Sequence, residues 1–199
     1  NLNVAQFLLE YLCLEGVTKL FGVPGAAIIH LKYELREHEN RFDYVVCRQE
    51  TGAAYIAHGY SIVADALGVV LTTAGPGATN AVTGAMNAQS AGAQMLVLTG
   101  EVARQNFGRG YLQGGIDARL NVDSIYQNAV QSSVVISSQS DFGTLFEQAL
   151  RDARGVPGRA AHVSLPVDVA WERVSGQTDA EGDTLVLMPR SPDRYRATP

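Results

Sequence analysis

Residues 68–73 read GVVLTT, an unbroken apolar and largely β-branched run that stops at Ala74-Gly75-Pro76-Gly77. A strand with one face in water alternates apolar and polar residues. One that does not alternate is covered on both faces, as strands of a parallel sheet between helices are. A second such run, QMLVLT at 94–99, follows a small-residue segment at 78–91 with helical spacing. Two buried strands joined by a helix commit this part of the chain to βαβ topology.

The remaining segments keep that alternation. Val4, Phe7, Leu8, Tyr11 and Leu12 lie at helical spacing within 4–15, with Gly16 as a stop. The patterns predict strands at 19–23, 44–47, 134–137 and 162–165, and helices at 26–38, 50–65, 117–130 and 141–154. In the last helix Phe142, Leu145, Phe146, Ala149 and Leu150 share one face. Five glycines between 100 and 115 predict a long loop. The expected fold is a three-layer, doubly wound α/β domain, with a mostly parallel six-stranded sheet and helices on both faces. It occupies residues 1–172. The proline-spaced polar segment 173–199 reads as a linker.

Composition narrows the partners. A net charge of −5 in 199 residues argues against nucleic acid as the main partner. No window approaches the roughly 18 apolar residues of a membrane span. The first helix is preceded by no basic region and no small-residue cleavage site, so no secretory signal is expected. Cys13 and Cys47 sit in apolar runs and read as buried free thiols of a cytoplasmic protein. The chain begins at Asn1 and not at a Met, the expectation being a piece of something longer.

In an open parallel sheet, ligands bind beyond the carboxyl ends of the strands, where strand order reverses. Four strand ends carry unusual residues: Gly22-Val23-Pro24-Gly25, Arg48-Gln49-Glu50-Thr51-Gly52, Thr73-Ala74-Gly75-Pro76-Gly77 and Gly100-Glu101. Glycine there permits close approach and proline fixes a turn, although ordinary βα turns favour both residues too. Gly75-Pro76-Gly77 starts like a dinucleotide loop, but Asn80 occupies the third glycine position and Pro76 lacks an N–H. There is no G-x-x-x-x-G-K-[ST] and no hard-metal cluster at these ends, so any ligand phosphates must be held elsewhere. Glu50 stands out. It opens a helix rich in glycine and alanine, where the helix dipole alone accounts for a carboxylate. A carboxyl sharing a proton with a ligand nitrogen in a dry crevice accounts for it equally.

The segments FGVPGAA at 21–27, RQETGAAYIAHGY at 48–60, GVVLTTAGPGATNAVTGAMNA at 68–88 and RAAHVSLPVDV at 159–169 resemble one family. It is the N-terminal pyrimidine-binding (PYR) domain of thiamine diphosphate-dependent enzymes, in the acetohydroxyacid synthase and benzaldehyde lyase branch. The similarity spans 3–170. The resemblance implies that Glu50 hydrogen-bonds a ring nitrogen of the aminopyrimidine, favouring the imino form whose nitrogen deprotonates the thiazolium carbon. It implies further that Pro24, Gly25, Thr73, Pro76 and Asn80 line the pyrimidine pocket. The activity implied is acetolactate synthase-like chemistry on 2-oxo acids, as lyase or transferase. The family's diphosphate and Mg2+ belong to a C-terminal domain of another subunit, which implies a homodimer or homotetramer and an inactive isolated piece. The resemblance also implies a central domain beyond the linker, with FAD possible there.

This chain departs from its relatives in ways that blur the substrate side. The usual histidine before the glutamate is Gln49. The synthase stretch G-T-D-A-F-Q-E is replaced by Gly108-Arg109-Gly110-Tyr111-Leu112-Gln113-Gly114. Leu112 to Asp117 (LQGGID) instead resembles the L-Q-A-G-I-D of benzaldehyde lyase, but that enzyme's histidine aligns with Ala27. Gln113 is the substrate-side candidate, with Phe107 and Tyr111 as pocket walls. His30 is a weaker candidate, and His38, His58 and His162 read as structural. Two other readings of the chain are a separate PYR subunit of a two-chain decarboxylase, and a non-catalytic assembly domain of the same fold.

Overall fold

In the computed structural model, which describes residues 2–117 and 119–174 and the backbone at 177–178 and 184–185, the two apolar runs are neighbouring central strands. These are β3 (Gly68–Thr72) and β4 (Met95–Glu101), buried at every residue. With β1 (Lys19–Gly22), β2 (Asp43–Val46), β5 (Ser132–Val135) and β6 (Ala160–Pro166) they form one sheet in the order β2-β1-β3-β4-β6-β5. Every neighbouring pair is parallel, so the expected mostly parallel sheet is wholly so.

The helices divide between the faces. On one side α1 (Val4–Leu14), α2 (Ile29–Glu37), α6 (Gln139–Ala153) and the short α7 (Val167–Ala170) cover Val69, Leu71, Leu96, Leu98, Val163 and Leu165. On the other, α3 (Glu50–Ala64), α4 (Pro76–Ala91) and α5 (Val122–Gln127) cover Val70, Met95, Val97 and Ala160. Successive residues of one strand therefore enter different cores, which is why the pattern shows no polar alternation. Local signals set the helix ends. Asn3 and Gln6 form a capping box at α1, and Asn121 and Ser138 cap α5 and α6. Gly92 ends α4 in the left-handed region at φ 69°.

From β1 the chain crosses to β2 on one side, then returns past β1 to β3 on the other. The connections leaving the carboxyl ends of β1 and β3 thus diverge, opening a crevice between them. Among the described residues, no helix is long and apolar enough to cross a membrane.

Several boundaries differ from expectation, each for a local reason. Strand β4 runs on through Gly100 and Glu101, because Gly100 pairs with Leu165 and Glu101 with Pro166. A Cβ at Gly100 would stand 2.2 Å from the Ala27 carbonyl oxygen, so only glycine continues the strand there. The helix expected at 117–130 shrinks to Val122–Gln127, since Ile116 bridges Asn121 before the cap. Strand β5 begins at Ser132, two residues early, its register set by β6. Cys13 and Cys47 are free but half-buried, not fully buried. Of the expected linker 173–199, Arg173 bridges Asn3 and Val174 donates to the Leu2 carbonyl. Gln177–Thr178 and Thr184–Leu185 pair antiparallel, and the rest lies outside the described residues.

One polar chain crosses the second core. The fully buried His162 stacks on Tyr126 at 3.8 Å, with its ring nitrogens 2.9 Å from Thr99 Oγ1 and 2.6 Å from Ser133 Oγ. Ser133 donates to Asp123 Oδ1 at 2.6 Å, so its oxygen accepts from His162 Nδ1–H while Nε2 accepts from Thr99. Burial pushes the imidazole down to about 3. Between the ordinary value of 6.5 and that figure, the unfolded chain takes up a proton that the native protein refuses. Stability therefore falls as pH drops through this window, by up to about 1.4 kcal/mol per pH unit. A His162→Gln protein should lose stability less steeply between pH 6.5 and 4 than the parent, read from urea midpoints across that range. Equal slopes would place the titrating group elsewhere.

Candidate functional site

Strand β2 ends at Val46, Cys47-Arg48-Gln49 connects it to α3, and α3 opens on Glu50 itself. The positive end of the helix favours a carboxylate in this first turn. Asn80, one turn into α4, donates its Nδ2 to Glu50 Oε2 at 3.0 Å, and Thr51 Oγ1 donates to the Asn80 carbonyl at 2.7 Å. The Oε1 atom accepts no hydrogen bond among the described residues. Glu50 is half-buried, so the dry crevice expected around it is one-sided. The sheet end and the small residues form a floor, and the opposite side is open.

That floor is built by exclusion of side chains. A Cβ at Gly25 would lie 2.3 Å from Thr73 Cβ, and one at Gly77 would lie 2.7 Å from Thr73 Cγ2 and 3.4 Å from Glu50 Oε1. Thr73 is buried between these glycines, and its Oγ1 accepts from the Ala27 N–H at 3.3 Å. The loops after β1 and β3 thus meet through Thr73. Helices α3 and α4 approach as closely: a Cβ at Gly84 would stand 2.4 Å from Ala54 Cβ. This contact sets the separation of Glu50 and Asn80.

Of the residues singled out in the sequence, Gly25, Glu50, Thr73 and Asn80 are linked by these contacts. Pro76 is the exposed first residue of α4, beside Gly77. Pro24 is exposed on the other side of Gly25, where the two line a groove of about 650 Å³ with Ile29, Tyr33, Phe42 and Tyr44. Gln113 is exposed and makes no hydrogen bond to Glu50. Its carbonyl oxygen instead lies 2.5 Å from where a Cβ of Gly75 would be. Tyr111 is exposed and Phe107 half-buried. His30 packs on Trp171 at 4.4 Å, and burial lowers its affinity for a proton. His38 Nδ1 lies 2.8 Å from the Glu34 carbonyl and His58 Nδ1 2.9 Å from Asn87 Nδ2.

Two further polar anchors flank the site. Glu101, at the end of β4, is buried to 1% exposure. Its Oε1 accepts from the Val102 and Gly115 N–H groups at 2.8 and 2.9 Å, and Oε2 from Gly115 at 3.1 Å. Burial pushes this carboxyl up, against the opposing pull of the two N–H groups. Its signal in the sequence is a charged residue closing a buried apolar run. The second anchor gives the LPVDV motif a physical role. Asp168 accepts from the Arg104 N–H at 3.1 Å and from Nε at 2.8 Å, while Arg104 also donates to Glu172 Oε1 and the Ser137 carbonyl. The start of the loop after β4 is thereby tied to the end of the domain. Among the described residues, no group of three His, Cys, Asp or Glu could hold a metal ion.

Comparison with known proteins returns a family and its members. Residues 2–120 match the family described as thiamine pyrophosphate enzyme, N-terminal TPP binding domain. The chain is 33% identical over 176 residues to the acetolactate synthase large subunit of Parasynechococcus marenigrum, covering 87% of this chain and 28% of the relative. It is 32% identical over 170 residues to the mitochondrial acetolactate synthase catalytic subunit of Saccharomyces cerevisiae, covering 85% and 24%. An acetolactate synthase of Mycobacterium bovis is 31% identical over 170 residues, 85% of this chain and 26% of that one. The chain spans roughly a quarter to a third of the length of the curated relatives it matches.

The geometry makes Gly84 the gauge of the site. Gly84→Ala sets a methyl group against Ala54 and should destabilise the protein by about 1–3 kcal/mol, the usual cost of overpacking. Denaturant midpoints measure this. A neutral result would mean that α3 and α4 can part without cost.

Proposed function

The chain belongs to the thiamine pyrophosphate enzymes, as their N-terminal TPP binding domain, and we propose that Glu50 is the group through which it activates that cofactor. The observation that carries this reading is the half-buried Glu50 carboxyl, with Oε2 held by Asn80 and Oε1 turned to no donor among the described residues. A planar heterocycle with a basic ring nitrogen fits such a place. It needs a floor without side chains, which Gly25 and Gly77 supply, and a carboxyl oxygen free to share a proton.

When bound, thiamine diphosphate supplies a carbon nucleophile that takes up the carbonyl of a 2-oxo acid and accepts the electron pair left by carbon dioxide. The chain's own residues prepare for this. Asn80 fixes the rotamer of Glu50 by occupying Oε2, and the helix dipole steadies the carboxylate between turnovers. Glu50 Oε1 holds the proton shared with the ring nitrogen, and closure of the open side excludes water and tightens that bond. Gly25 and Thr73, with Pro76 beside Gly77, orient the ring by shape, and Gln113 contacts the substrate. The overall reaction we assign is acetolactate synthase-like, on 2-oxo acids.

The remaining parts of such a site fall outside this chain. No glycine-rich phosphate loop occurs in the sequence, so we assign the diphosphate and Mg2+ to a C-terminal domain of another subunit. An exposed stripe on α3 supports that arrangement. Tyr55, Ile56, Ile62 and Val63 are exposed, and Gly52 and Gly59 at the same helical spacing have no atom within 4 Å of a built Cβ. Apolar and bare surface of this kind suits close approach by a second body. The isolated chain should neither hold the cofactor firmly nor turn over 2-oxo acids.

Two experiments test this reading. In the full-length protein with thiamine diphosphate, Mg2+ and pyruvate, Glu50→Gln should lower kcat/KM by about 10²–10⁴-fold, the usual worth of a positioned acid–base group, with little change in Tm. Unchanged turnover would remove Glu50 from the mechanism. In sedimentation, Gly59→Arg should shift the full-length protein to smaller species. An unshifted assembly would mean that α3 faces solvent.

A further inference from the structure

Glu101 is an ionisable side chain at 1% exposure that no cation balances among its bonded partners. Glutamate is almost never fully buried unless paired, and where stability alone is at stake an apolar residue serves as well. What this carboxylate holds is backbone, and most of it is distant in the chain. Gly115, 14 residues on, gives its N–H to both oxygens. A Cβ at Gly115 would lie 2.4 Å from Oε2, so glycine is the residue that permits the contact. The carbonyl of Gly115 in turn accepts from the Val122 N–H at 2.8 Å, where α5 begins.

Around that anchor the tip of the loop stands in solvent. Tyr111 and Leu112 are exposed, and a Cβ at Gly108 would meet nothing within 4 Å. Among the described residues its backbone bonds are local: Gly108 N–H to the Ile116 carbonyl and Gly114 N–H to the Tyr111 carbonyl, both at 2.9 Å, Arg109 N–H to the Asn106 carbonyl at 3.2 Å and Asp117 N–H to the Leu120 carbonyl at 2.7 Å. Inside this turn Gln113 sits at φ 60°, a left-handed conformation that residues other than glycine adopt only when surroundings enforce it. Its carbonyl packs against Gly75, itself at φ 55°, where a side chain would collide. Gly75 caps α4, the helix whose Asn80 holds Glu50.

We propose that Glu101 is the positioning residue of the glycine-rich loop: by gripping Gly115 it seats Gln113 against Gly75, the N-cap of α4, at the rim of the Glu50 site. The carboxylate joins the end of β4 to a residue 14 positions on, and so offsets part of the entropy of closing the loop, which bonds within the loop do not span. It acts on the loop's position and not on the cofactor end, since none of its bonds reaches Glu50, Asn80 or Thr73. That Gln113 there meets substrate rests on the function proposed above. The grip itself does not.

The test uses the full-length protein, with Glu101→Met removing the carboxylate and Gly115→Ala obstructing it from the other side. Amide hydrogen exchange across 108–117 should accelerate about tenfold in both, the scale of a lost charge-assisted bond, with the sheet unchanged. With pyruvate as probe, KM should rise about tenfold while kcat and the half-saturating thiamine diphosphate concentration hold, as for a loss of substrate positioning. Glu101→Gln keeps an oxygen for the Val102 and Gly115 N–H groups and should recover part of both effects. Unaltered exchange in 108–117 would overturn the grip. A parallel fall in kcat and in cofactor affinity would instead make Glu101 a general structural residue. Should the parent protein not turn over pyruvate with thiamine diphosphate, the functional reading fails while the exchange result still decides the role of Glu101.

Discussion

The near contact of α3 and α4 is the constraint on which the rest of the site depends. Gly84 meets Ala54 with no room for another methyl group, and the helices it joins carry Glu50 at the first residue of α3 and Asn80 one turn into α4. With larger residues at this crossing the helices would separate, and the 3.0 Å bond that fixes the carboxyl rotamer would be lost. The alanine and glycine of α3 and α4 have a second effect. They let both helices lie close on β3 and β4, so the helix N-termini arrive beside the strand ends where Thr73 and Gly25 form the floor.

Apart from the chain through His162, Thr99 and Ser133, polar side chains of the central strands gather at that edge, where helix ends and loop N–H groups are within reach. Both faces of β3 and β4 are apolar and closed, so a carboxylate near these strands needs backbone N–H groups or helix ends as partners. Glu50 uses a helix N-terminus and an amide side chain, and stays half-exposed. Glu101 uses backbone N–H groups and is buried. The same residue type at two strand ends thus does different work: the accessible one is available to a ligand, and the enclosed one organises a loop. Arg104, bound to Asp168 and Glu172, begins that loop and joins it to the segment leaving the domain.

Much of this was legible in the chain. The doubly buried strands at 68–73 and 94–99 announced a parallel sheet, since only closure on both faces removes the need for alternation. Glu50 stood out as a charge at the opening of a small-residue helix. The weaker forecasts failed where pairing overrode local pattern. Gly100 and Glu101 looked like loop but continue β4, because β6 supplies hydrogen bonds that far. The helix foreseen at 117–130 is shortened by the Ile116–Asn121 bridge and the Asn121 cap. His162, which read as structural, gave no local sign of Ser133 and Thr99, which reach it from two other strands.

By itself the sequence determined the alternation of strands and helices, the layered fold, and a set of glycines and one carboxylate at the ends of strands. These are local properties: periodicity, side-chain size and the conformations glycine permits. Only the tertiary structure decided which strand ends share a crevice, that Asn80 and not an arginine holds Glu50, and that Gly115 rather than a cation satisfies Glu101. The reason is that hydrogen-bond partners 14 and 30 residues apart are chosen by strand order and helix spacing, which no window of the chain contains.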